Sequence, residues 1–210
     1  MIQITRTGLV SSISLTELGV LRSHFQRQHF VRLREFVEPT LLRIIQDRLE
    51  TAEFTERNQE SKELESYMTD KNLRGILLFL TNDSELFEVV QQIANCGKLS
   101  SFVGRVYQKI PGQGHFDTWH NDVHPSRIVG MSINLSRQIY SGGSLRIRDA
   151  ESGEILEEAI NTGFGDAILF RLSPALQHRV DEVYGEAKKV AYAGWFLSDP
   201  VLQINRSGRN

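Results

Sequence analysis

The sequence predicts a single α+β domain, mainly β, in which a mostly helical region, residues 1–100, supports a β-rich core, residues 101–200, within the span 1–210. Three observations carry that reading. Apolar residues recur at helical spacing in the first half, they alternate at period two from Ser101 onward, and glycine turns cut the second half into short strands. Strands at such regular spacing belong to a sandwich, a barrel or a jelly roll. The length suits one domain of ordinary size.

Phe30 to Phe36 reads as a short strand, and Pro39 opens a helix in which Leu41, Leu42, Ile45 and Leu49 make an apolar stripe. Residues 53 to 72 are rich in acids (Glu53, Glu56, Glu60, Glu63, Glu65, Asp70) and read as a solvated helix face or a loose loop, less readily as a substrate lid. Ile76 to Leu80 is the longest apolar run, a core segment far below the ~20 residues that span a bilayer. Asp83 or Ser84 caps a further helix, which shows Leu86, Val89, Val90 and Ile93 on one face and stops at Gly97. These helices need a sheet to cover.

The second half supplies it. Arg127 to Leu135 alternates, with Val129, Met131, Ile133 and Leu135 on one face and Ile128, Gly130, Ser132 and Asn134 on the other. The turn Ser141-Gly142-Gly143 leads into a strand from Ser144 to Arg148, with Leu145 and Ile147 inward. A glycine turn from Thr162 to Asp166 precedes a strand from Ala167 to Phe170, and Val190 to Phe196 reads as a last strand. The tail from Asn205 to Asn210 reads as mobile.

Charge narrows the partners. Lys and Arg number 24 against 26 Asp and Glu, so no whole-chain field favours nucleic acid or an anionic membrane. Cys96 stands alone and makes no internal disulfide, and the N-terminal stretch MIQITRTGLV lacks the basic start and apolar run of a signal peptide, so a cytoplasmic location is expected. A small molecule or a peptide is the expected substrate.

The chemistry concentrates at His120-Asn121-Asp122, with His178 56 residues beyond Asp122 and the pair Lys188-Lys189 further on. His120 and Asp122 sit at i and i+2, so on extended backbone both point to one side, and a third ligand can arrive from another strand. Two imidazoles and one carboxylate on one face of a metal leave positions open on the other, the facial set of non-haem Fe(II) oxygenases. A second triplet of the same form, His115-Phe116-Asp117, lies five residues upstream.

In context these residues resemble the Fe(II)- and 2-oxoglutarate-dependent dioxygenases, the broad group that includes prolyl hydroxylases and phytanoyl-CoA-hydroxylase-like enzymes. The resemblance runs through Tyr107, His120-Asn121-Asp122, Arg127-Ile128-Val129, Gly142-Gly143-Ser144-Leu145, Gly165 to Phe170, His178-Arg179-Val180, Lys189 and Trp195-Phe196. It implies a double-stranded β-helix, or jelly roll, braced by helices. It also implies Fe(II), O2 and 2-oxoglutarate as cosubstrate, with His120, Asp122 and His178 as iron ligands. The distal carboxylate of 2-oxoglutarate needs a cation, which in the family lies about six residues before an aromatic pair; that count from Trp195 gives Lys189 rather than Lys188. Lys189 shares a face with Ala191, Ala193 and Trp195, the small residues leaving room for a ligand. Tyr107 resembles a tyrosine that donates to the same carboxylate, and reads equally as a core aromatic. His120 and Asp122 are favoured over His115 and Asp117 because they lie nearer the next strand, five residues before Arg127, and because Trp119-His120 resembles a pair found in part of the family. The carboxylate at Asp122 implies hydroxylation, since halogenating relatives have Gly or Ala there. Two other readings stay open: a cupin-type metalloenzyme that needs no 2-oxoglutarate, and a jelly-roll binding protein without turnover.

Overall fold

In the computed structural model, residues 1–58, 64–160 and 163–199 are described. The chain opens with a hairpin of β1 (Ile2–Thr5) and β2 (Gly8–Ser11), then α1 (Leu15–Gln28), β3 (Phe30–Leu33) and α2 (Pro39–Glu50). A second hairpin, β4 (Phe54–Asn58) and β5 (Leu64–Met68), precedes α3 (Lys71–Thr81) and α4 (Ser84–Ala94). The second half is strands: β6 (Ser101–Lys109), β7 (Arg127–Asn134), β8 (Ser141–Gly142), β9 (Leu145–Asp149), β10 (Ile155–Ala159), β11 (Ala167–Arg171), β12 (Leu176–Val180), β13 (Val183–Tyr184) and β14 (Lys189–Leu197).

These strands form a jelly roll. A major sheet runs in the order β3-β11-β7-β14-β6-β5-β4, opposite it lies a minor sheet of β10-β9-β12, and β13 and β8 form a separate short pair. All the named strand pairings are antiparallel. Alternation along each strand sorts side chains to the two faces of the major sheet. Val129, Met131 and Ile133 of β7 and Val190, Tyr192 and Phe196 of β14 face the helices, in one buried core with Leu41, Leu42, Ile45 and Leu49 of α2 and Leu86, Val90 and Ile93 of α4. Burying each such aliphatic side chain contributes about 1.5–3 kcal/mol, so the apolar stripes, rather than helix propensity, hold the helices in place. A smaller core of Leu145, Ile147, Ile168, Phe170 and Leu176 lies between the sheets.

The helices start and stop where local chemistry directs. Pro39 stands at the first turn of α2, and Glu38 accepts from the amides of Thr40 and Leu41. Asp83 is the N-cap of α4, and Asn95, in the left-handed conformation at φ 51°, ends it two residues before Gly97. Ser14 and Glu17 form a reciprocal capping box at the start of α1, a signal present in the sequence.

The first half holds more strand than its sequence suggested. Described residues between 53 and 72 are neither a helix face nor a loose loop: β4 and β5 pair in register, and β5 adds to β6 through Ser66 and Tyr67. Of the acidic residues there, Glu65 pairs with Arg57 across the hairpin at 2.7 Å, Glu56 approaches His115 at 3.5 Å, and Asp70 caps α3. Glu60 and Glu63 lie outside the described residues. The run Ile76 to Leu80 is core only in part: Leu77 and Leu80 are buried on α3, while Phe79 is 79% exposed. The tail from Asn205 to Asn210 and Thr162 of the glycine turn lie outside the described residues.

Candidate active site

Between the two sheets lies a cavity of about 570 Å³, whose wall includes His120, Asp122, His178, Lys189, Tyr107, Ala191, Ala193 and Trp195. Its floor is β14, the strand between β7 and β6. Ala191 is in register with Asn134 and Tyr107, Ala193 with Ser132 and Arg105, and Trp195 with Gly130 and Val103. Small side chains at the centre of this floor leave space that Leu or Phe would fill.

His178 stands on β12, inward between the sheets, its ring 4.8 Å from that of Phe170. The loop after β6 meets β12 through a two-way bridge: the amide of His120 donates to the carbonyl of His178 at 3.1 Å, and the amide of His178 returns a bond to His120 at 2.7 Å. This places the imidazoles side by side, with ring centroids 4.4 Å apart. Two residues on, Asp122 adopts φ 54°, a left-handed conformation that Asp tolerates better than most residues, and its carboxylate turns toward both rings. Among the described residues, His120, Asp122 and His178 form the one group of three whose ligand atoms converge, within 4.8 Å of one another.

The donor set fits a divalent cation. The Nδ1 of His120 lies 2.7 Å from the carbonyl of Thr118, which only accepts, so Nδ1 carries the proton and Nε2 is left with its lone pair. Asp122 Oδ2 sits 3.3 Å from Nε2 of His178 and 3.7 Å from Nε2 of His120. Three electron-rich atoms this close need a proton or a metal between them. Burial alone would raise the pKa of Asp122, but the two neighbouring imidazoles, His120 and His178, outweigh it and hold the carboxyl well below the usual carboxylate range. Burial depresses the basicity of His178, and Asp122 opposes it only in part. At His120 burial also acts downward, and there Asp122 and the Thr118 carbonyl win and raise it.

The carboxylate is fixed from behind. Trp195 donates its indole N–H to Asp122 Oδ2 at 2.9 Å, and the Arg127 guanidinium stacks on the Trp195 ring at 3.7 Å while approaching Asp122 Oδ1 at 3.6 Å. In sequence Trp195 and Arg127 serve only as landmarks for counting. The signal for Trp195 was its place on the Lys189 face of β14; that of Arg127 was not legible, because a stack on a distant indole has no sequence pattern.

Lys189 is buried, and its ammonium donates to the carbonyl of Gly143 at 2.6 Å. Gly142 and Gly143 both take left-handed φ, 75° and 64°, and that turn directs the carbonyl at the lysine. Burial, aided by the nearby Lys109, depresses the Lys189 pKa to about 8. Lys188 points elsewhere: it is exposed and donates to Gln108 at 2.9 Å. Tyr107 lies on the cavity wall, and burial pushes its phenol up to about 12, so it is a donor at neutral pH. The upstream triplet is otherwise engaged. His115 accepts the Ile110 amide at Nδ1 and turns Nε2 toward Glu56 at 3.5 Å, while Asp117 pairs with Lys109 at 2.6 Å.

Residues 104–197 match the family model of the 2OG-Fe(II) oxygenase superfamily. No curated protein matches the chain. Among solved structures, a Pseudomonas putida prolyl-4-hydroxylase superposes with TM-score 0.65 at 17% identity, over 87% of this chain and 99% of that one. A Trichoplax adhaerens prolyl hydroxylase, solved in complex with a hypoxia inducible factor oxygen degradation domain peptide fragment, gives TM-score 0.60 at 14% identity, over 89% and 94%. A non-heme alpha-ketoglutarate-dependent epimerase from nogalamycin biosynthesis gives 0.65 at 10% identity, over 94% and 93%. At these identities the likeness is one of fold.

Proposed function

We propose that the chain is a member of the 2OG-Fe(II) oxygenase superfamily, whose family model matches residues 104–197, an oxidoreductase family that uses Fe(II), 2-oxoglutarate and O2, and that it hydroxylates a C–H bond of an amino acid, peptidyl residue or small metabolite. Bound Fe(II) and 2-oxoglutarate supply the oxidising chemistry, with O2 consumed and succinate and CO2 released.

In this reading His120, Asp122 and His178 hold the metal, and Lys189 and Tyr107 hold the distal carboxylate of 2-oxoglutarate. The observation that carries it is a buried lysine on the same cavity wall as a converging His-Asp-His set. A buried ammonium is costly without a partner, and here it has one neutral acceptor, the Gly143 carbonyl, where a carboxylate would complete it. Thr118 fixes the tautomer of His120, and Trp195 and Arg127 hold Asp122 against rotation, so the donors are preorganised. Lysine in place of a guanidinium gives a point-charge contact rather than a two-pronged one. A peptide substrate is consistent with the peptide-bound neighbour, and a small metabolite with the biosynthetic one.

An anaerobic titration of metal-free protein with Fe(II) and 2-oxoglutarate tests this, following the visible charge-transfer band of the chelate. The band is expected in wild type and His115→Ala, absent in His120→Ala, and in Lys189→Ala formed only at far higher 2-oxoglutarate. No band in wild type would sink the proposal; loss in His115→Ala with retention in His120→Ala would move the ligand set upstream.

A further inference from the structure

We propose that the cavity is built for a prime substrate that carries an oxyanion, a carboxylate or a phosphate, and that Arg105 is the residue that reads it. The inference deepens the hydroxylase reading and rests on it.

The argument is one of charge balance. The cavity wall carries Arg57, Arg74, Arg105, Lys109, Arg127 and Lys189 against Glu65, Asp117 and Asp122, with His115 held toward neutrality by burial. A divalent metal, dianionic 2-oxoglutarate, Asp122 and Lys189 cancel among themselves. Five cations and two carboxylates remain among the described lining residues, a surplus of three positive charges. The whole chain has a formal charge of −2, so the surplus is local to this cavity.

Pairing shows where the surplus sits. Arg57 is matched by Glu65 at 2.7 Å and Lys109 by Asp117 at 2.6 Å. Arg127 is occupied with Trp195 and Asp122. Arg74 reaches the cavity edge from α3 and is exposed. Arg105 is half-buried, has no carboxylate partner among the described residues, and rests over the ring of Tyr67 at 5.6 Å, with Arg57 at 5.5 Å from the same ring.

Position and geometry then select Arg105. It lies in register with Ala193, whose other neighbour is Ser132, and so stands beside the open stretch of floor between the Lys189 end and Trp195. A guanidinium lodged over an aromatic ring keeps its in-plane N–H groups free, and these form the fork that matches a carboxylate or a phosphate. Tyr67 of β5 is in register with Tyr107 of β6, two residues along the strand from Arg105, which sets the Tyr67 ring beneath the guanidinium. A solvated surface arginine would need neither a cavity wall nor a ring beneath it.

The test uses protein loaded with Mn(II) and 2-oxoglutarate and three pools of blocked pentapeptides that differ only at their variable positions: Asp/Glu, phosphoserine, or Asn/Gln. Retention of each pool is measured by ultrafiltration and mass spectrometry for wild type, Arg105→Gln and Arg105→Lys. Wild type should retain an anionic pool about tenfold or more above the amide pool, as expected for a charge-assisted contact in a partly desolvated site. That advantage should fall below about threefold in Arg105→Gln and be partly restored in Arg105→Lys. Preference for the Asp/Glu pool identifies a carboxylate, and preference for the phosphoserine pool a phosphate. Equal retention of all pools, retention of none, or an undiminished preference in Arg105→Gln overturns the proposal. Calorimetry of 2-oxoglutarate binding to the same proteins separates the two readings: wild type and Arg105→Gln should bind it alike, and a wild type that fails to bind it overturns the hydroxylase reading instead.

Discussion

Lys189 shows how one residue ties stability, pH and binding together. Its folded pKa, depressed to about 8 by burial, lies below that of an exposed lysine. Without 2-oxoglutarate, the unfolded chain therefore binds one more proton than the folded one between pH 8 and the ordinary lysine range. The contribution of Lys189 to stability rises with pH through that window and is at its least below it. In the role proposed for Lys189, binding runs the other way, because a 2-oxoglutarate carboxylate needs the ammonium. Calorimetry of 2-oxoglutarate with the Mn(II)-loaded protein should show affinity constant from pH 6.5 to 7.5 and falling above about 8, approaching tenfold per unit. Lys189→Met should bind weakly at every pH with that slope gone; a wild-type affinity that rises above pH 8 would exclude the ammonium as the contact. His115, by contrast, lines the cavity apart from the converging His120, Asp122 and His178, with its Nδ1 accepting the Ile110 amide and its Nε2 turned toward Glu56.

Among the elements, β14 and β12 position the site, and the helices keep the major sheet in shape. The loop from Ile110 to Ser126 reaches β12 through the bridge at His120 and is further seated by Trp119, whose ring lies 4.4 Å from the Arg148 guanidinium and 4.7 Å from that of Arg179. Trp119 outward and His120 inward are the two consequences of extended backbone at this point. Helix α4 is anchored at its first turn, where Asp83 accepts from the amides of Glu85 (2.8 Å) and Leu86 (3.2 Å) and, with its other oxygen, from Leu9 of β2 at 3.2 Å. Asp83→Ala removes the cap and orphans the Leu9 amide. It should cost about 1–2 kcal/mol, read as a lower midpoint in urea, with the Fe(II)–2-oxoglutarate band unchanged. A loss of the band at full folding would mean that this helix touches the site more directly than its packing indicates.

At the scale of the whole molecule, ligand binding and folding should be linked, because the three candidate metal ligands come from two distant stretches of chain that only the folded state brings together. Mn(II) with 2-oxoglutarate, each at about a hundred times its dissociation constant, should stabilise the native state by at least ~2.7 kcal/mol. That corresponds to a rise in Tm of roughly 5–10 °C for a domain of this size. Asp122→Ala should show no such rise in a thermal melt, and an equal rise in that variant would place metal binding elsewhere. No helix among the described residues is long and apolar enough to cross a membrane.

What the sequence by itself determined was everything that depends on local period and spacing. The alternation of β7 and β9, the strands β11 and β14, Pro39 at the start of α2, the cap of α4, the face shared by Lys189, Ala191, Ala193 and Trp195, and the candidates His120, Asp122 and His178 are all statements about neighbours along the chain. The β4–β5 hairpin was misread because a cross-strand partner, as Arg57 is to Glu65, leaves no mark at fixed spacing. Only the tertiary structure shows which of the two His-x-Asp triplets meets His178. His120 rather than His115 bridges to His178, and that pairing is set by the register of the loop on β12. The same holds for Trp195 on Asp122, Arg127 on Trp195, and the arginine-rich wall around Arg105: each is a contact between residues far apart in sequence. Their energies depend on distance and burial, which arise only when the sheets close over one cavity.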